Sequence, residues 1–200
     1  MRIPSFLLIS FLYVGSTLVK AQNTTINFDV IYDGKSIGTV TASKEIEGKK
    51  VVKNLRSNTD AKVLMLSVHV ESEVKVHSEG EIMTSATAYR HANRGAEDIQ
   101  TTTVKGAGNT YDIIKNGEKI QLTHVGIKFC VTDLYFSEPL GISSIFSSTY
   151  GAFLPLKYIS KGVYKLVLPD GKTTTFTYVN GKLTQAIATM SLGDILFKRK

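Results

Sequence analysis

Residues 66–78 read LSVHVESEVKVHS. Leu66, Val68, Val70, Val74 and Val76 share one parity, while Ser67, His69, Glu71, Glu73, Lys75 and His77 share the other. Successive side chains of a strand point to opposite faces. This stretch therefore buries one face and wets the other, as strands of an antiparallel sheet do.

The same alternation appears on either side. Ile26, Phe28, Val30 and Tyr32 share a parity opposite Asn27 and Asp29, Asp33-Gly34 follows, and Ile37 to Ser43 forms the next β-rich run. Glu47-Gly48, Asn116-Gly117, Asp170-Gly171 and Asn180-Gly181 have the chemistry of tight hairpin turns, which need positive φ. The C-terminal half carries this most regularly. Tyr111–Ile114 turns into Lys119–Thr123, Val163–Leu168 into Thr173–Tyr178, and that strand into Leu183–Thr189. Strands joined by tight turns pair with their neighbours. The expected fold is all-β: a single strongly curved antiparallel meander or open barrel of roughly nine to eleven strands.

One segment departs from alternation. Between Thr132 and Tyr150 the apolar residues Leu134, Tyr135, Phe136, Leu140, Ile142, Ile145 and Phe146 lose period two. Thr132 has the chemistry of a helix cap, Pro139 stops a helix, and Gly151 would end a second one over Ile142–Thr149. One or two short helices within 132–150 are expected on the concave side of the sheet. Ala61–Met65 is a weaker site for a similar bend.

Residues 1–21 have the layout of a secretory signal peptide. Arg2 is followed by the apolar run Phe6–Val14, and small residues lead to Val19 and Ala21 ahead of Gln22. The run is shorter than the ~20 residues of a membrane-spanning helix. Residues 22–200 then form one β-rich domain, exported to the periplasm or beyond and soluble after cleavage. The whole chain of 200 residues carries a formal charge of +7, and loss of Arg2 and Lys20 with no acid leaves +5. Its lysines are dispersed over turns and strand ends, which serves solubility and blunts sheet edges. No nucleic acid is expected as partner, since no basic stripe studded with aromatics is present. Membrane contact is peripheral at most. Cys130, the one cysteine, reads as a small buried hydrophobe.

No nucleophile elbow, paired-histidine zinc motif, phosphate loop or dinucleotide fingerprint occurs. The chain reads as non-catalytic, with no cofactor and no metal. His69, Glu71, Glu73 and His77 lie on one strand face, but His69 and His77 stand about 26 Å apart along a strand and cannot share an ion. A solvated face with cross-strand ion pairs accounts for them. Tyr89 and His91 differ in parity from Arg90, which argues against a shared anion pocket. His124 has no identifiable partner, and Asn23-Thr24-Thr25 is a formal glycosylation sequon.

Several segments together carry a resemblance. They are Phe28-Asp29-Val30, Gly34-Lys35-Ser36-Ile37-Gly38, Leu134-Tyr135-Phe136-Ser137-Glu138-Pro139, Tyr150-Gly151-Ala152-Phe153-Leu154-Pro155-Leu156 and Tyr164-Lys165-Leu166-Val167-Leu168-Pro169-Asp170-Gly171-Lys172. With these the chain resembles a family of exported bacterial proteins, domain of unknown function 6134. The resemblance implies an exported β-rich protein and carries over no catalytic residue.

Two functions fit. In the first, the protein is an envelope binding or carrier protein whose concave apolar face takes a lipid or lipophilic ligand. The curved sheet with a plug looks like the architecture of periplasmic lipoprotein carriers. Leu134, Tyr135, Phe136, Ile145 and Phe146 would then line or cover the site; filling of an ordinary core is their plainer reading. In the second, the protein is a structural or assembly component acting on another envelope protein through an edge strand or surface patch.

Overall fold

The computed structural model describes residues 22–63, 66–94, 97–123, 126–190 and 193–200. The proposed signal peptide, His124 and part of the Ala61–Met65 bend lie outside them. The first eight strands are β1 (Gln22–Tyr32), β2 (Lys35–Glu47), β3 (Lys50–Val63), β4 (Leu66–Glu79), β5 (Ile82–Ala92), β6 (Ile99–Lys105), β7 (Thr110–Lys115) and β8 (Glu118–Thr123). After a crossing segment come β9 (Ser144–Ser147), β10 (Ala152–Ser160), β11 (Val163–Val167), β12 (Thr173–Val179), β13 (Lys182–Met190) and β14 (Gly193–Arg199).

The sheet is antiparallel and has fourteen strands among the described residues, more than the nine to eleven expected. The surplus has a physical origin. β3 presents Asn54, Arg56, Asn58 and Asp60 on its outer face, so it looks polar in sequence. β9 is only four residues long and has both faces covered. The hairpin signals hold where they were strongest: Asn116-Gly117 and Asn180-Gly181 both have positive φ at each residue, as a type I′ turn requires.

The strand order is β8-β7-β6-β5-β4-β3-β2-β1-β14-β13-β12-β11-β10-β9. Two meanders, β1–β8 and β9–β14, are joined where the first and last strands pair, with Val30 opposite Phe197. β8 and β9 are therefore opposite edges of one sheet, which laid flat would be roughly 60 Å wide. Yet the Phe129 carbonyl, six residues after Thr123, already accepts a hydrogen bond from Phe146 N in β9. Six residues reach about 20 Å at most. The sheet must therefore curl, and residues 127–130 link its two halves: the Ile127 carbonyl accepts from Met83 N of β5 and the Phe129 carbonyl from Phe146 N of β9. Cys130 adds a parallel bridge to Phe146.

Two clusters fill the inside. Ile26, Phe28, Val40, Leu154, Leu156, Leu166, Phe176 and Leu183 gather around Leu134 and Ile145. Val76, Met83, Ala86, Tyr111 and Ile113 gather around Ile127, Cys130 and Phe146. Adjacent Ile145 and Phe146 thus serve opposite halves of the curl. A strand buried on both faces shows no alternation, which is why this segment resembles a helix in sequence. The expected helices within 132–150 reduce to one 3-10 turn, Val131–Tyr135, capped by Cys130 rather than Thr132. Ile142–Thr149 is not helical, since it contains β9. Ala61–Val63 is likewise strand, paired with Leu66–Val68.

Candidate functional site

The five residues singled out from sequence lie together inside the curl but differ in exposure. Leu134, Ile145 and Phe146 are completely buried. Tyr135 and Phe136 are half-buried. The Tyr135 ring meets Phe28 edge-on at 5.5 Å and Phe176 at 6.4 Å between centroids. Burial pushes its hydroxyl up to about 12.

Ile145 and Phe146 are held in the β9–β10 ladder, whereas the rest of the segment has little regular structure and is fixed largely by side chains from the surrounding strands. Tyr111 Oη of β7 accepts from Ile127 N at 3.0 Å and donates to the Met83 carbonyl at 2.9 Å. Tyr178 Oη of β12 donates to the Leu134 carbonyl at 2.7 Å. Tyr164 Oη of β11 donates to Glu138 Oε1 at 2.9 Å. Thr101 Oγ1 of β6 donates to the Thr149 carbonyl at 3.3 Å. Lys53 of β3 completes the set through Asp133, whose Oδ1 lies 2.5 Å from Nζ. Asp133 Oδ2 also accepts from Cys130 N, so one carboxylate both caps the 3-10 turn and ties it to the sheet.

Lys53 has a neighbour of the same sign. Lys44 of β2 stands directly opposite it in register, and Lys53 in turn stands opposite the fully buried Val76. Both lysines therefore lie on the inner face. Lys44 Nζ sits 5.8 Å from the centre of the Phe136 ring. Sequence reasoning missed this pair, although a signal was present: each lysine interrupts an apolar parity, Val40-Ala42-Lys44-Ile46 in β2 and Val51-Lys53-Leu55 in β3.

The outer face uses the polar residues noted in sequence differently. His69 Nδ1 pairs with Asp60 Oδ1 at 2.8 Å, Tyr89 Oη donates to Glu71 Oε1 at 3.1 Å, and Arg56 Nε donates to Glu73 Oε1 at 3.0 Å. His91 Nδ1 pairs with Asp98 Oδ1 at 2.9 Å. That hydrogen bond, and then the Asp98 charge, raises the His91 pKa, while the same bond first, with the neighbouring positive charge, lowers that of Asp98. Arg90 points to the other face and donates to the Glu97 carbonyl, so Tyr89, Arg90 and His91 form no common pocket. A shallow groove of about 280 Å³ runs between Thr41, Arg56, Asn58, Glu71 and Tyr89. No group of three His, Cys, Asp or Glu side chains among the described residues could hold a metal. Cys130 is buried, and burial together with the Asp133 charge pushes its thiol up to about 12. Among the described residues no helix is long and apolar enough to cross a membrane.

The model of one protein family, a domain of unknown function (DUF6134), matches residues 28–200. No curated protein and no solved structure matches.

Proposed function

This chain belongs to the DUF6134 family, and from that premise we propose that it is a non-catalytic binding or carrier protein of the cell envelope that takes a lipophilic ligand on the inner face of its curled sheet. One observation carries the reading. Residues 131–142 fill the inside of the curl with apolar and aromatic side chains, yet their backbone–backbone bonds stay within the segment and its Cys130 cap, and the side chains of Lys53, Tyr164 and Tyr178 tie them to the surrounding strands. A tethered plug of this kind can yield to a ligand at much lower cost than a paired strand.

The ligand meets Tyr135 and Phe136 first, because they are the half-buried members of the site. Leu134, Ile145 and Phe146 form the wall behind them. The second reading, assembly with another envelope protein, draws support from the outer edge of β8, which pairs with no strand among the described residues. That edge is short and begins with Glu118-Lys119, the pattern of an edge kept free of partners, so it favours this reading less.

The test is native mass spectrometry of the protein purified from the envelope without detergent. A reproducible lipid-sized adduct, lost in a folded Phe136→Ser variant, is the expected result. A clean apo mass rejects a stably held lipid, and a co-purifying protein in its place favours assembly.

A further inference from the structure

Lys44 and Lys53 face each other across β2 and β3 on the side of the sheet that faces the core. Like charges directly opposite in a ladder repel, and partial burial removes the water that would screen them. Asp133 neutralises one of the two. Its Oδ1 pairs with Lys53 and its Oδ2 accepts from Cys130 N, and among the described residues Lys44 makes no ion pair. What Lys44 reaches is the face of Phe136, a weak substitute for a counter-ion at 5.8 Å. Beside the half-buried aromatic pair Tyr135 and Phe136 the inner face thus carries Lys44, Lys53 and Asp133, with the Glu138 carboxylate nearby held by Tyr164 Oη.

Resting on the binding reading above, we infer that the ligand is a lipid with an anionic phosphate headgroup, and that Lys44 is the residue that receives it. The headgroup supplies the counter-ion that Lys44 lacks among the described residues, while the acyl chains lie along Phe136 and Tyr135 toward the apolar interior. Charge and hydrophobicity meet within one side chain's reach of each other, which is the pattern an anionic amphiphile requires. A free phosphate would satisfy Lys44 but gain nothing from the aromatic pair.

The experiment measures extraction of fluorescent phosphatidylglycerol and phosphatidylethanolamine from neutral carrier vesicles by the protein expressed from its full sequence. Phosphatidylglycerol should be extracted at least tenfold more than phosphatidylethanolamine. Lys44→Gln should bring it down to the phosphatidylethanolamine level, Lys44→Arg should retain most of it, and millimolar inorganic phosphate should not displace it. Lys198→Gln, on the opposite face of β14, controls for the overall positive charge and should change nothing. Equal extraction of the two lipids, or equal effects of Lys44→Gln and Lys198→Gln, overturns the headgroup assignment while leaving lipid binding intact. Displacement by inorganic phosphate also overturns it and makes the site one for the free anion. Extraction of neither lipid overturns the assignment together with the binding reading on which it rests.

Discussion

Lys53 Nζ lies 2.5 Å from Asp133 Oδ1, and each side chain keeps only 12% of its surface exposed. The pair joins β3 to the 3-10 turn. Removing one partner of a nearly buried pair strands the other charge, and this costs more than the pair itself contributes. Lys53→Met should therefore destabilise the protein by about 2–4 kcal/mol, read from denaturant unfolding. The double variant Lys53→Met with Asp133→Asn should be less destabilised than the sum of the two single changes. Strict additivity would show that the two groups do not interact.

The tyrosine tethers should rank by the bonds each makes. Tyr111→Phe removes an acceptor for Ile127 N and a donor to the Met83 carbonyl, both buried, and should cost about 2–4 kcal/mol. Tyr178→Phe removes one donor to the Leu134 carbonyl and should cost about 1–2 kcal/mol. Exposed Tyr158 serves as control, and its change to Phe should stay within about 0.5 kcal/mol. Equal values for all three would contradict the tethering account.

Cys130 should resist iodoacetamide at pH 8 in the folded protein and react fully once unfolded. Burial first, and the neighbouring Asp133 second, hold its thiol at about 12, so almost no thiolate exists at that pH. Rapid labelling of folded protein would show that Cys130 is open to solvent.

The His91–Asp98 pair gives a pH signature with a defined sign. The His91 pKa is raised and the Asp98 pKa lowered, first through their shared hydrogen bond. The histidine's contribution to stability is complete below its unfolded pKa and is lost as pH rises through the raised folded value. The aspartate's is present above its unfolded pKa and is lost as pH falls through its depressed folded value. In an NMR titration Asp98→Asn should move the His91 midpoint down. An unchanged midpoint would dissociate the two residues.

The alternation at Leu66–Ser78 and the Asn-Gly turns made the antiparallel class and most of the hairpins legible, because both are local consequences of strand geometry. The pairing of β1 with β14 was not legible. Nothing local to Val30 or Phe197 names the other as its neighbour, and that pairing is what makes β8 and β9 opposite edges. The segment around Ile145 and Phe146 misled for a related reason: its two sides belong to two clusters, so it carries no periodicity to read. Tyr135 and Phe136 were visible as apolar residues out of phase. Lys44 and Lys53 were visible only as breaks in an apolar parity, and their meaning depended on the register that sets them opposite each other.

Hydrogen exchange with and without phosphatidylglycerol most directly tests the claim that residues 131–143 form a tethered plug a lipid can displace. The amides of Phe136, Ser137, Leu140 and Ile142 bond only within this segment, so displacement frees them while the flanking ladders stay intact. The account predicts faster exchange for 131–143 when lipid is bound, with β2, β3 and β12 unchanged. Lipid bound with this segment unchanged or protected would contradict it.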